Sequence, residues 1–302
     1  MRFTRVLALG ASALVLLSAC STGGGSKPTV KVGSDGFYEA KLMAEIYGQA
    51  LEAGGYTVDR TGIGIGARKV SAPALESGQI DLKPEYIGSG LAFYEPGKQT
   101  GDPAANATAL QAVLTAKGGG ITVLTYSPAA DQNAFVVRKD TATQFNLAKL
   151  SDTTAVQDQL KWGLATDCKT NAVGAAALKS AYGLDPKNIT PLAACDTPMA
   201  QALVNKTIDV AELCSTQPDI AVNGFVVLSD DKQTQPADNL APLVRNDLLA
   251  KVDKTSFEKI LNDVSAKMDT ATLTDLGKQI TVDKKDIAAV AKAWLQSAGL
   301  VK

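Results

Sequence analysis

Apolar positions between residues 30 and 90 change their period repeatedly, and each change marks an element. Val30–Gly33 reads as a short strand, followed by the polar loop Ser34-Asp35-Gly36. Leu42, Met43, Ile46, Tyr47, Ala50 and Leu51 then recur with the roughly 3.6-residue period of a helix face, and Gly54-Gly55 can end that helix. Tyr56–Arg60 reads as a second strand, Gly62–Gly66 as a glycine-rich turn into another helix, and Ile80–Leu82 as a third strand. Strand–helix–strand–helix–strand predicts a parallel sheet with helices on both faces and a ligand crevice outside the strand C-termini. The segments carrying Ser34, Gly64–Gly66 and Tyr86–Ser89 would open onto that crevice.

The pattern continues with a helix from Tyr86, breaks at Pro96-Gly97 and Gly101–Pro103, a helix over Asn106–Ala116 and a strand over Ile121–Tyr126. Ser127–Asn133 is polar and reads as a crossover into the strand Ala134–Arg138. A second α/β unit follows: strands at Trp162–Thr166, Ile189–Ala193, Ile208–Leu213 and Phe225–Leu228, with helices at Ala172–Tyr182 and Met199–Val204. Gln233–Pro242 reads as a return crossover. Two C-terminal stripes, Phe257/Ile260/Leu261/Val264/Met268 and Ile287/Val290/Ala291/Trp294/Leu295, then complete the first unit as core-facing helices. The expected fold is α/β and two-lobed, with two parallel or mixed sheets, helices on both faces of each, and two hinge crossovers. Lobe 1 is expected over residues 30–131 and 242–302, and lobe 2 over 132–241.

The start of the chain points outside the cytoplasm. Arg2 and Arg5 precede the apolar run Val6–Ala19, whose length of about fourteen residues suits a signal peptide better than a membrane span. Leu17-Ser18-Ala19-Cys20 looks like a bacterial lipobox, so residues 1–19 are expected to be removed, Cys20 lipidated, and residues 20–29 left as a flexible tether to the membrane surface.

Composition then narrows the chemistry. The 302 residues include no histidine, which excludes Ser–His–Asp and Cys–His catalysis and histidine metal sites. A formal net charge of −1 gives no basic surface for nucleic acid. Gly62-Ile63-Gly64-Ile65-Gly66-Ala67 fits a dinucleotide fingerprint, but it follows the second strand and not the first. Tight backbone packing, or N–H groups lining the crevice, accounts for the same glycines. Beyond Cys20 there are three cysteines, and an exported protein favours a disulfide; Cys168 and Cys195, on adjacent strands, are the expected pair.

GSDGFYEAKLMAEIYGQALEAGGY, ALESGQIDLKPEYIGSGL and VVLSDDKQTQPADNLAPLVR resemble the substrate-binding subunits of osmoprotectant (glycine betaine/choline) ABC importers, in order and through nearly the whole chain. The resemblance implies a type II periplasmic-binding-protein fold that closes on a small ligand and delivers it to a permease driven by a cytoplasmic ATPase. It implies a monomer with no cofactor, no metal and no catalysis. A sensor or scaffold lipoprotein on the same fold is the alternative, and an extracytoplasmic enzyme a weaker one.

A quaternary ammonium group donates no hydrogen bonds, so the family surrounds it with aromatic faces. By resemblance Tyr86 matches one such tyrosine, Ser89 a threonine beside it, and Asp131 an acidic or amide position before the crossover. Other family tyrosines fall on Asn133, Cys214 (just before Ser215) and Asp238; an arginine falls on Asn171 and a lysine on Asp35. Ser34 and Tyr38 complete the candidate set from the first crevice segment. A crevice with one surviving cage tyrosine and several carboxylates suits a polar cation or a polyhydroxylated molecule.

Overall fold

The structure, a computed structural model, describes residues 27–171 and 173–302. The expected signal segment, Cys20 and tether residues 20–26 lie outside the described residues.

The first sheet begins with β1 (Thr29–Asp35), α1 (Tyr38–Ala53), β2 (Thr57–Gly66), α2 (Arg68–Ser77), β3 (Leu82–Tyr86), α3 (Ile87–Tyr94), α4 (Pro103–Ala116) and β4 (Ile121–Val123). The second contains β5 (Asn133–Val137), α5 (Lys139–Phe145), a 3-10 segment (Leu150–Gln159), β6 (Trp162–Ala165), α6 (Ala175–Tyr182), β7 (Ile189–Leu192), α7 (Thr197–Val204), β8 (Val210–Cys214), α8 (Asp219–Val222) and β9 (Val226–Leu228). The chain then returns as β10 (Leu240–Arg245), α9 (Asn246–Leu249), α10 (Lys254–Lys267), α11 (Thr270–Thr281) and α12 (Ile287–Ser297).

Strand order is β2-β1-β3-β10-β4 in one sheet and β7-β6-β8-β5-β9 in the other. β10 runs antiparallel to β3 and β4, and β5 antiparallel to β8 and β9, so both sheets are mixed. Alternate residues of β10 enter different cores. Leu240 and Val244 pack with α1 and α10–α12, while Ala241 and Leu243 pack with α2–α4. β5 divides likewise, Phe135 and Val137 to one side and Ala134 and Val136 to the other. Helices therefore cover both faces of each sheet. The stripe expected on α1 is buried throughout, and Asp253, Asp269 and Asp286 cap the three long C-terminal helices by accepting backbone N–H bonds.

Four expectations are corrected. The glycine run is not a strand-to-helix turn: it lies inside β2, paired with β1 from Thr29↔Thr57 to Asp35↔Gly66. Gly33 and Gly62 flank Ile80, and a Cβ on Gly33 would meet the Ile80 Cδ1 at 2.5 Å, so these glycines exist for close packing. The third strand is Leu82–Tyr86 and not Ile80–Leu82, and the return crossover ends at Leu240, before Pro242. Finally, the disulfide joins Cys195 to Cys214, with Cα atoms 4.8 Å apart, and Cys168 is a free buried thiol. After β7 the chain turns at Cys195, whose φ is +57°, back across the end of β6 to the end of β8. Cys168 instead faces inward to the core beneath α6, with Leu164 and Leu178.

Between the sheets the two crossovers run side by side: Ala130 bridges Asn239, and the Asp131 N–H donates to the Asp238 carbonyl at 3.0 Å. Among the described residues no helix is long and apolar enough to cross a membrane.

Candidate functional site

A crevice of about 380 Å³ lies between the lobes, at the C-terminal ends of the strands. The first lobe contributes Asp35–Phe37 at the β1–α1 junction, Gly66–Arg68 at β2–α2, and Tyr86 and Ser89 at β3–α3. The second contributes Ala165–Asp167, Ala193–Asp196 and Cys214, and the crossovers add Asp131, Gln235 and Asp238. The helices α1 and α2 begin here with no side-chain cap, so their N-termini present partial positive charge to the crevice. The start of α3 is capped from the return crossover: the N–H groups of Gly88 and Ser89 both donate to Asp238 Oδ1, at 2.8 and 2.9 Å.

The candidate residues separate accordingly. Asp35, Tyr86, Ser89, Asp131, Asn133, Asn171 and Asp238 all line the crevice. Ser34 does not; it is fully buried in β1, and its hydroxyl accepts the Gly64 N–H at 2.9 Å. Tyr38 is buried with its ring against Gly277 of α11. Ser215 sits behind the wall and holds Asp131, donating to Oδ1 at 3.1 Å. Residue-by-residue reading missed Phe37, Arg68, Asp167, Asp196 and Gln235, and the disulfide as part of the wall.

Charge at the crevice floor is arranged as a chain. Asp35 pairs with Lys83 at 3.0 Å, Lys83 with Glu85 at 2.7 Å, and Glu85 with Arg68 at 2.9 Å. Arg68 also donates to the Ser89 hydroxyl at 2.7 Å. These four charges neutralise one another. Burial works against the Glu85 carboxylate, but Arg68 and Lys83 outweigh it and hold its pKa down at about 2. That leaves Asp131, Asp167, Asp196 and Asp238 on the wall, and no ion pair engages them among the described residues. Burial raises Asp131 to about 6 and Asp238 to about 7, the latter against the opposing pull of Arg68. The crevice therefore carries excess acid, and an entering cation would lower the cost of ionising it.

The aromatic lining is a corner, not a box. Phe37 and Tyr86 have ring centroids 5.7 Å apart with planes tilted by 33°. The Tyr86 hydroxyl donates to Glu39 Oε1 at 2.6 Å, which fixes the ring's edge and leaves a face for a ligand. Asn133 stands opposite Cys214 in the β5–β8 register, and its amide donates to Gln235 at 3.2 Å.

Two mixed α/β lobes, paired crossovers and a crevice at the strand ends define a two-lobed solute-binding protein. A family model described as the substrate binding domain of ABC-type glycine betaine transport systems matches residues 28–297. The chain is similar to the glycine betaine-binding protein YehZ of Escherichia coli K12, 30% identical over 98% of this chain and 99% of the relative. It is 26% identical to the carnitine transport binding protein OpuCC of Listeria monocytogenes, over 93% and 92% of the two chains. A solved structure described as a glycine betaine/carnitine/choline ABC transporter superposes with a TM-score of 0.70, at 23% identity, covering 90% of this chain and 99% of that one. The chain belongs to the family of substrate-binding domains of ABC-type glycine betaine transport systems. It is a substrate-binding protein of an importer, acting outside the cytoplasm with a small-molecule ligand and with permease and ATPase partners.

Proposed function

We propose that the protein captures a small organic cation of the betaine, carnitine or choline type and delivers it to its permease without performing catalysis. The observation that carries this reading is the unpaired acid of the crevice beside an aromatic corner. Asp131 and Asp238 lie near Tyr86 and Phe37, while Arg68, the one basic residue on the wall among the described residues, is neutralised by Glu85. Cation–π contact and carboxylate attraction together compensate an ammonium group for lost water. A zwitterion's carboxylate would face the uncapped N-termini of α1 and α2.

Lobe 1 (residues 30–131 and 242–302) would close on lobe 2 (132–241) about the paired crossovers, with β10 beginning two residues before the second boundary. Lipidation at Cys20 would hold the monomer at the membrane by its tether. The absence of histidine from the chain favours binding over an enzymatic role. The amides of Asn133, Asn171 and Gln235 favour a second reading, a polyhydroxylated ligand.

A thermal-shift panel of glycine betaine, carnitine, choline, polyamines and sugars separates the two. A true ligand at a hundredfold excess over its dissociation constant adds about 2.7 kcal/mol of stability. A shift with the quaternary amines supports the cation reading; a shift with sugars alone replaces it by the second.

A further inference from the structure

Glu39, in the first turn of α1, lies just behind the crevice and joins its two sides. It is 1% exposed. Its Oε1 accepts the Tyr86 hydroxyl at 2.6 Å, and its Oε2 accepts the Thr216 hydroxyl at 2.6 Å. Tyr86 is the aromatic face of the first lobe, whereas Thr216 follows β8 in the second, so one carboxyl group ties the ligand's contact surface to the opposite lobe.

The groups around Glu39 are acidic or neutral on every side. Asp131 faces it from the outgoing crossover and is itself held by the Thr216 N–H at 3.0 Å and the Ser215 hydroxyl at 3.1 Å. Tyr38 is its neighbour on α1, Tyr86 reaches it from the end of β3, and Asp219 at the start of α8 faces Tyr38 in turn. No lysine or arginine pairs with Glu39 or Asp131 among the described residues; the crevice cations are committed to Asp35 and Glu85. An ionised Glu39 would be a buried charge beside another carboxylate, with only hydroxyl donors to stabilise it. Burial and the nearby Asp131 both push its carboxyl well above the ordinary range, and the two acids titrate as a pair.

We propose that Glu39 and Asp131 hold one proton between them in the empty crevice, and that a cationic ligand settling against Tyr86 and Asp131 expels it to solvent. The exchange balances: one carboxyl O–H bond breaks, the proton leaves to the buffer, and the ligand's positive charge takes its place. Glu39 is here a positioning residue, acting through Tyr86 and Thr216 and not by touching cargo. The proposal rests on the cation reading above, because a neutral ligand would displace no proton.

Choline tests it, since its charge is independent of pH. Affinity should weaken as pH falls, by at most about tenfold per pH unit for one linked proton. Calorimetry in buffers of different ionisation enthalpy should register proton release, approaching about one per choline, on binding near neutral pH. Glu39→Gln keeps the size of the group and one acceptor oxygen but cannot ionise, so it should bind choline with a shallower pH slope and less proton release, the remainder belonging to Asp238. Release-free binding to the wild-type protein, or an undiminished slope in Glu39→Gln, overturns the proposal.

If choline does not bind, the cation reading fails, and the ligand-free proteins still decide the proton's place. The raised carboxyl favours folding below its unfolded value and loses that contribution as pH rises through the folded value. Wild type should therefore fall progressively behind Glu39→Gln in melting temperature over the pH window that opens above the unfolded carboxylate value. A constant gap across that window contradicts the proposal.

Discussion

Asp238 illustrates how one side chain on a crossover can serve both structure and ligand. Its Oδ1 accepts from the Gly88 and Ser89 N–H groups at the start of α3, and the carboxylate still lines the crevice. Asp238→Asn should keep the cap and the melting temperature while weakening choline binding. Asp238→Ala should lose both, with about 1–2 kcal/mol of stability removed with the cap, as read by denaturant unfolding. At this scale the sequence was partly legible. The positions carried across by resemblance, including Asn133, Asn171 and Asp238, fall on the crevice wall because strand ends are fixed by the fold, whatever residue occupies them. Ser34 fell outside because neighbouring β2 takes up its hydroxyl. Glu39 and Arg68 carried no spacing signal, since their partners Thr216 and Glu85 are 177 and 17 residues away.

Elements with clear hydrophobic periods were readable, and those governed by prolines and close packing were not. Pro84 and Pro242 argue against central strands, yet they stand opposite one another in the β3–β10 register, so both missing N–H groups fall at one rung. The glycines of β2 resembled a turn because a sequence does not reveal that Ile80 is packed against two strands at once. Gly62→Ala should press its Cβ into Ile80 and the Val32 carbonyl and cost about 1–3 kcal/mol by overpacking, measurable by thermal or denaturant unfolding. The disulfide pairing depended on the turn after β7, which strand adjacency alone did not reveal. Thiol titration of the denatured, unreduced protein should find Cys168 as the one free thiol among the three body cysteines. Opening the bridge across its 19-residue separation should destabilise the second lobe by about 3 kcal/mol and loosen the Ala193–Asp196 wall.

Over the whole molecule, the two-lobed plan followed from the order of strands, helices and crossovers, and the crevice from the rule that strand C-termini face it. The balance of buried acid did not follow, because it depends on which carboxylates the folded chain leaves without a cation. Asp131 near 6, Asp238 near 7 and Glu212 near 7 are all raised chiefly by burial. Each favours folding below its unfolded value and loses that contribution as pH rises through its folded value. Glu85, held at about 2, acts oppositely, but its contribution is complete above the unfolded carboxylate range. The melting temperature of the ligand-free protein should thus decline between about pH 4.5 and 7.5. A profile that rises across that interval would mean the crevice acids are paired in solution.

The most direct measurement is a calorimetric titration of the ligand-free protein with choline and, separately, with its uncharged isostere in which carbon replaces nitrogen. The two share shape and apolar surface, so they differ only in what the acids and the Phe37–Tyr86 corner are held to recognise. Saturable binding of choline with none of the isostere is the predicted result. Equal binding of both, or of neither, would contradict a crevice built to recognise positive charge.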